Sequence, residues 1–173
     1  SPLIEEYSID ESFVDVSHYR EDELSEIANK IKETILKNTG IPVGIGIAKT
    51  KYLSKIANKF AKQVPENKGV YVVDSEEKRL HLLTVTSLKN VWGIGRKHAI
   101  RVEKTGAKNA LDFANLSVVW VRKEMTVVGE RLWRELNNQP CLEMTIFPDI
   151  KKGIGTAKSF GQKLTDYHLI EEA

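Results

Sequence analysis

Gly44-Ile45-Gly46-Ile47-Ala48-Lys49-Thr50-Lys51-Tyr52-Leu53-Ser54-Lys55-Ile56-Ala57-Asn58-Lys59-Phe60-Ala61-Lys62 decides the architecture of this chain. The apolar run Ile41–Ile47 predicts a short buried strand, and Gly44 and Gly46 sit where something packs closely against its backbone. Thr50 is a suitable N-cap, and a helix runs from there to about Gln63. Leu53, Ile56, Ala57 and Phe60 occupy one side of it and face the core. Lys51, Lys55, Lys59 and Lys62 fall within an arc of roughly 80° on the other side. Lys49 precedes the helix, and no acid interrupts residues 49–65.

On either side of this stretch the pattern extends. Glu11–Val16 is rich in β-formers, and Gly69–Val73 is another strand. Glu21–Thr39 carries Leu24, Ile27, Ala28, Ile31 and Ile35 at helical spacing, with acids at its start and Gly40 as C-cap. Residues 1–73 therefore predict an α+β unit: a mixed sheet with two helices, in a split βαβ arrangement. Beyond Asp74 the chain reads as short helices between glycine turns: Ser75–Leu83, Arg96–Thr105, Ala107–Ala114, Ser117–Lys123 and Val127–Asn138, with Pro140 as terminator. Residues 141–155 read as a linker, and 156–173 begin an extended segment.

Composition narrows the class. The chain has 173 residues, 41% hydrophobic and 29% charged, with a formal net charge of +2. That balance is globular rather than disordered. No apolar run reaches membrane-spanning length. Cys141 is the only cysteine, which excludes an internal disulfide and a cysteine-based zinc site and fits a reducing, cytoplasmic setting. The four histidines show no ligand spacing, and no nucleophile-elbow or Walker sequence occurs. The chain opens on Ser1, so a piece of a longer protein is expected.

Three places can carry chemistry. Asp10-Glu11, beside Ser8 at a strand end, offers oxygen ligands for Mg2+, provided the backbone there is irregular enough to turn both acids to one side; the alternative is two solvated surface acids. The lysine face of the second helix can hold phosphates by charge, or can simply be a solvated face. Val91-Trp92-Gly93-Ile94-Gly95, followed by Arg96, Lys97 and Arg101, exposes backbone amides ahead of a helix N-terminus, as an anion-gripping turn does. With its flanking apolar positions it resembles a helix-hairpin-helix element; the alternative is a plain tight turn.

In order along the chain, these pieces resemble the Y-family translesion DNA polymerases, in their UmuC-type branch. Tyr7-Ser8-Ile9-Asp10-Glu11-Ser12-Phe13-Val14-Asp15 is similar to the family's catalytic strand motif, and residues 44–62 to its next palm segment. Val91–Arg96, Val128, Glu130-Arg131, Arg134-Glu135-Leu136, Pro140-Cys141-Leu142 and Ser159-Phe160-Gly161 extend the likeness over essentially the whole chain. The resemblance implies that Asp10 and Glu11 are catalytic Mg2+-binding carboxylates and that Lys62 contacts the incoming triphosphate. It implies DNA contact by Lys49, Lys51, Lys55, Gly93, Ile94, Gly95 and Arg96. Residues 1–73 would be the C-terminal part of a palm, 74–141 an all-helical thumb, and 142–173 a linker and the start of a little finger. Primer-template DNA and dNTP are the implied ligands. A UmuD′-like subunit, a recombinase filament and a sliding clamp would be partners of the full-length parent, in error-prone synthesis of the SOS response. Ser12 replaces the family's usual alanine, and Gln63 a frequent proline, which would let that helix run longer. The family's first metal-binding aspartate lies ahead of this stretch, so the 173-residue chain alone is expected not to polymerise. A non-catalytic helix-hairpin-helix DNA-binding module is the competing reading, and it gives Asp10 and Glu11 no task.

Overall fold

A computed structural model describes residues 3–146 together with Gly153, Gly155, Ser159–Gly161, Lys163 and His168. The expected extended segment over 156–173 lies largely outside the described residues. Strand β1 (Ile4–Glu6) pairs antiparallel with β2 (Ser12–Val14), so that Glu5 faces Phe13. Helix α1 (Leu24–Thr39) ends in a left-handed Gly40, a backbone state glycine enters without steric cost. Strand β3 (Ile45–Ile47) leads into helix α2 (Lys51–Gln63) and returns as β4 (Val70–Val72), parallel to β3. The helical part follows: α3 (Glu76–Val85), α4 (Arg96–Glu103), α5 (Ala110–Ala114) and α6 (Val118–Leu136).

The strands do not join in one ladder. Among the described residues they form two separate two-stranded sheets, one antiparallel and one parallel. The mixed directions match the sequence reading; the continuous sheet is replaced by two ladders, with α2 reaching both. Lys51 and Lys55 of α2 bond acids at the β1–β2 hairpin, while its glycine-facing side lies on β3. β1 itself escaped the sequence reading, because Leu3–Glu6 shows no clear alternation. Helix α2 stops at Gln63 and Pro65 opens the next turn, so the missing proline at 63 does not lengthen it.

Gly46 sets the contact between α2 and β3. A Cβ there would lie 2.1 Å from the Asn58 amide nitrogen and 2.4 Å from the Ser54 carbonyl oxygen. Both are backbone atoms of a helix and cannot rotate aside. At Gly44 the added carbon would meet the Lys62 stem at 2.6 Å, so glycine there lets that side chain cross the strand. The core runs from Leu53, Ile56 and Ala57 of α2 through Leu82 and Leu83 to Phe113, Val121, Leu132 and Leu136. Two sequence-predicted helices, Ser117–Lys123 and Val127–Asn138, become the two arms of α6, which breaks at Thr126 (φ 63°, ψ −165°). Glu130 accepts hydrogen bonds from Arg122 on one arm and Arg134 on the other, the latter at 2.8 Å.

Glu135 is fully buried yet forms no ion pair among the described residues. Its Oε1 accepts from the amides of Cys141 (2.6 Å) and Leu142 (3.0 Å), and its Oε2 from the amide of Tyr52 at 3.3 Å. The Thr50 hydroxyl donates to the Glu135 carbonyl at 2.9 Å.

Two stability outcomes follow from these contacts. Gly46→Ala forces α2 off β3 and should cost about 1–3 kcal/mol or more, read from urea denaturation. Glu135→Ala strands one buried and two half-buried amides and should cost about 3 kcal/mol, whereas Glu135→Gln, which keeps one carbonyl acceptor, should lose less.

Candidate active site

The β1–β2 hairpin positions the acids. Its connection is not extended: the amides of Tyr7 and Ser8 both donate to the Glu11 carbonyl, at 3.1 and 3.0 Å. Asp10 and Glu11 therefore sit in a bent loop before β2 begins at Ser12, and the strict alternation of a strand does not apply to them. The Ser8 hydroxyl donates to Asp10 Oδ1 at 2.8 Å, and Asp10 is exposed. Two carboxylates on such a loop suit a hard cation that completes its shell with water, as Mg2+ does. Among the described residues no third acid, histidine or cysteine joins them to form a larger cluster.

Glu11 faces a groove of about 290 Å3 lined by Lys55, Asn58, Lys59, Lys62, Lys89 and Trp92, among others. The carboxylate and Lys62, which are 51 positions apart in sequence, thus share one concave surface. Lys62 is exposed and has no carboxylate partner among the described residues. Lys59 donates to Asn90 Oδ1 at 2.8 Å, tying α2 to the segment that precedes the glycine turn. Lys89 and Asn90 gave no signal in the sequence, since neither spacing nor periodicity links them to the helix.

The uniform lysine face expected from the sequence is divided by the structure. Lys51 is drawn inward: its ammonium bonds Glu5 Oε2 and the Glu143 carbonyl (2.6 Å), and it lies 5.2 Å from the Phe13 ring centre. Both members of that pair are only about a tenth exposed. Lys55 donates to Glu11 Oε2 at 2.9 Å. Neither ammonium stands free on a solvated face, whereas Lys49 and Arg96 are exposed. Glu5 was missed in the sequence, because its partners Lys51 and Thr145 are remote along the chain.

The glycine turn opens on the groove's edge. Trp92 lines the groove and packs on Tyr52 (4.5 Å between ring centres) and Tyr7 (5.2 Å). Gly93 has φ 86° and borders a second hollow of about 240 Å3 with Tyr52, His98, Met125 and Gly129. Gly95 caps α4 with open space around it, and Val91 and Ile94 are buried beneath. Gly93, Gly95 and the positive end of α4 thus lie at the surface beside Arg96 and Lys97, whereas the amide of the buried Ile94 is taken up by the Val91 carbonyl at 3.1 Å. Burial pushes the Tyr52 hydroxyl up from its ordinary pKa, aided by electrostatic interaction with Glu135 and then Tyr7.

Burial acts to raise the Glu5 carboxyl, but the Lys51 hydrogen bond, the Thr145 amide and the Lys51 charge together hold it below its ordinary value. A carboxyl depressed on folding stabilises the fold above its unfolded pKa and loses that contribution as pH falls through the folded one. Unfolding free energy should therefore decline on acidification below the ordinary Glu range. Glu5→Gln should flatten that part of the curve, read from denaturation midpoints at stepped pH.

Known proteins are similar to this chain in sequence and in fold. Residues 1–59 match the impB/mucB/samB family. UmuC of Salmonella typhimurium is 38% identical, over 99% of this chain and 41% of that protein. A DNA polymerase IV of Oceanobacillus iheyensis is 32% identical, over 96% of this chain and 39% of that protein. In structure, DinB from Sulfolobus solfataricus superposes with a TM-score of 0.64 at 26% identity, covering 83% of this chain and 42% of that one. An insertion ternary complex of Dbh DNA polymerase gives 0.60 at 26% identity, over 76% and 38%. The chain spans about two fifths of the length of the curated relatives it matches.

Proposed function

We propose, from the premise that this chain belongs to the impB/mucB/samB group of Y-family polymerases, that it supplies part of the nucleotidyl-transfer site of a translesion DNA polymerase. The observation that carries this is the shared groove: Glu11 at one end and Lys62 at the other, with the glycine turn beside it. In this reading residues 1–73 are palm, 74–141 thumb, and 142–173 lead into a little finger.

Asp10 and Glu11 would hold Mg2+, which when bound would supply Lewis-acid activation of the primer 3′-hydroxyl. The chain's own residues do the rest. Lys62 meets the triphosphate as a point charge, on a stem that reaches the groove across Gly44. The amides of Gly93 and Gly95 and the start of α4 grip primer phosphate without reading sequence, the Ile94 amide being held by Val91. Lys49 and Arg96 add charge to that grip. Lys51 and Lys55, occupied by acids, contribute little to it. For the whole protein, a UmuD′-like subunit, a recombinase filament and a sliding clamp are the partners of this reading. No helix among the described residues is long and apolar enough to cross a membrane.

The test places residues 1–173 in the matching segment of a UmuC-type polymerase and follows primer extension. The chimera should extend primers, and Asp10→Asn or Glu11→Gln should slow it by about 10²-fold or more while leaving primer-template binding unchanged. DNA binding should weaken steeply with salt. Synthesis indifferent to both acid substitutions would overturn the proposal. Salt-sensitive DNA binding in a chimera unable to extend at all would favour a non-catalytic helix-hairpin-helix module.

A further inference from the structure

Lys55 sits where three electron-rich groups converge. Its ammonium is 2.9 Å from Glu11 Oε2, 4.3 Å from the Tyr7 ring centre and 4.5 Å from that of Trp92. The rings hold each other: Tyr7 meets Trp92 edge-on at 5.2 Å, and Trp92 is backed by Tyr52. Two aromatic faces and one carboxylate thus fix a single cation on the wall of the groove.

The neighbouring pair one turn earlier gives the contrast. Glu5–Lys51 is closed off, and the Thr145 amide and Glu143 carbonyl complete it. Withdrawing either member would leave a buried charge alone, at high cost. In Glu11–Lys55 the carboxylate is 39% exposed and faces open groove. Lys55 would keep both rings if the carboxylate turned away, so the pair can open without orphaning its cation.

Resting on the reading of Glu11 as a metal-binding carboxylate, we propose that Lys55 is a stand-in cation. It holds the Glu11 side chain at the groove wall while no divalent ion is bound, and yields the carboxylate when one arrives. Lys55 is then a positioning residue rather than a DNA contact. Its charge competes with the incoming ion for the same oxygen. The caging rings set the strength of that competition, because they keep the ammonium in place in both states.

The test measures Mn2+ binding to the 173-residue chain by electron paramagnetic resonance at low ionic strength. Lys55→Met, which keeps the apolar stem between the rings, should tighten Mn2+ binding about fivefold or more, the Coulomb effect of one unit charge at about 4 Å under water-like screening being the lower bound. Glu11→Gln should weaken binding, and Lys55→Met should change little in that background. Lys55→Gln repeats the measurement should the methionine variant fold poorly, with circular dichroism as the check. Glu11-dependent binding that Lys55→Met and Lys55→Gln leave unchanged or weaken would overturn the stand-in role while sparing the metal-binding reading of Glu11. Binding indifferent to Glu11→Gln would remove that reading and this inference with it.

Discussion

A buried carboxyl group with no cation beside it among the described residues, that of Glu135, holds this chain's parts in register. Glu135 takes amide hydrogens from the first turn of α2 and from residues 141 and 142, while its own carbonyl receives the Thr50 hydroxyl. The Thr50 oxygen in turn caps α2 by accepting from Leu53. A negative group at a helix N-terminus is favoured by the helix dipole, and several directed amides replace the water it has lost. The N-terminal end of α2 and the C-terminal turn of α6 are therefore fastened by one reciprocal set of bonds. Arg79 adds a second fastening, donating to the Leu136 carbonyl at 2.6 Å.

Once α2 is fixed at that end, its remaining faces have little freedom. Gly46 lets one face lie directly on β3, and the apolar face packs into the helical core. The third face, which carries the lysines, meets the β1–β2 hairpin and the segment before the glycine turn. The groove exists because these two meet α2 from different sides and leave space between Glu11 and Lys62. A displacement of α2 by one residue would rotate its lysines by about 100° and separate them from both acids.

Local features of this design are readable in the sequence. The glycines of β3, the cap at Thr50, the apolar periodicity of α1 and α2 and the stop at Pro140 each act on near neighbours, so spacing reveals them. The interruption of α6 was also legible, as a gap between two helical patterns at residues 124–126, although the strained backbone of Thr126 was not. Long-range pairing left no trace: Glu5 with Lys51, Glu11 with Lys55, Lys59 with Asn90 and Glu135 with Tyr52 join residues that no periodicity relates. For that reason the second helix read as one uniform basic face, and the strands as one sheet. The Asp10–Glu11 pair was visible as chemistry, but the bend that frees it from strand alternation depends on the amides of Tyr7 and Ser8.

Those long-range pairs also arrange charge in a way that the net value of +2 conceals. Along α2 the lysines are answered unequally. Lys51 meets a buried acid and a carbonyl, Lys55 a half-buried acid and two rings, Lys59 a neutral amide, and Lys62 no acid among the described residues. Uncompensated positive charge therefore grows toward the C-terminal end of the helix, where the helix dipole favours cations. The acids of the hairpin lie toward the opposite end. A groove with carboxylate at one end and free ammonium at the other favours a ligand that is cationic at one end and polyanionic at the other. In the reading proposed above, a nucleoside triphosphate would present its metal to the acids and its outer phosphates to Lys62, a polarity that a solvated surface helix with alternating signs could not impose.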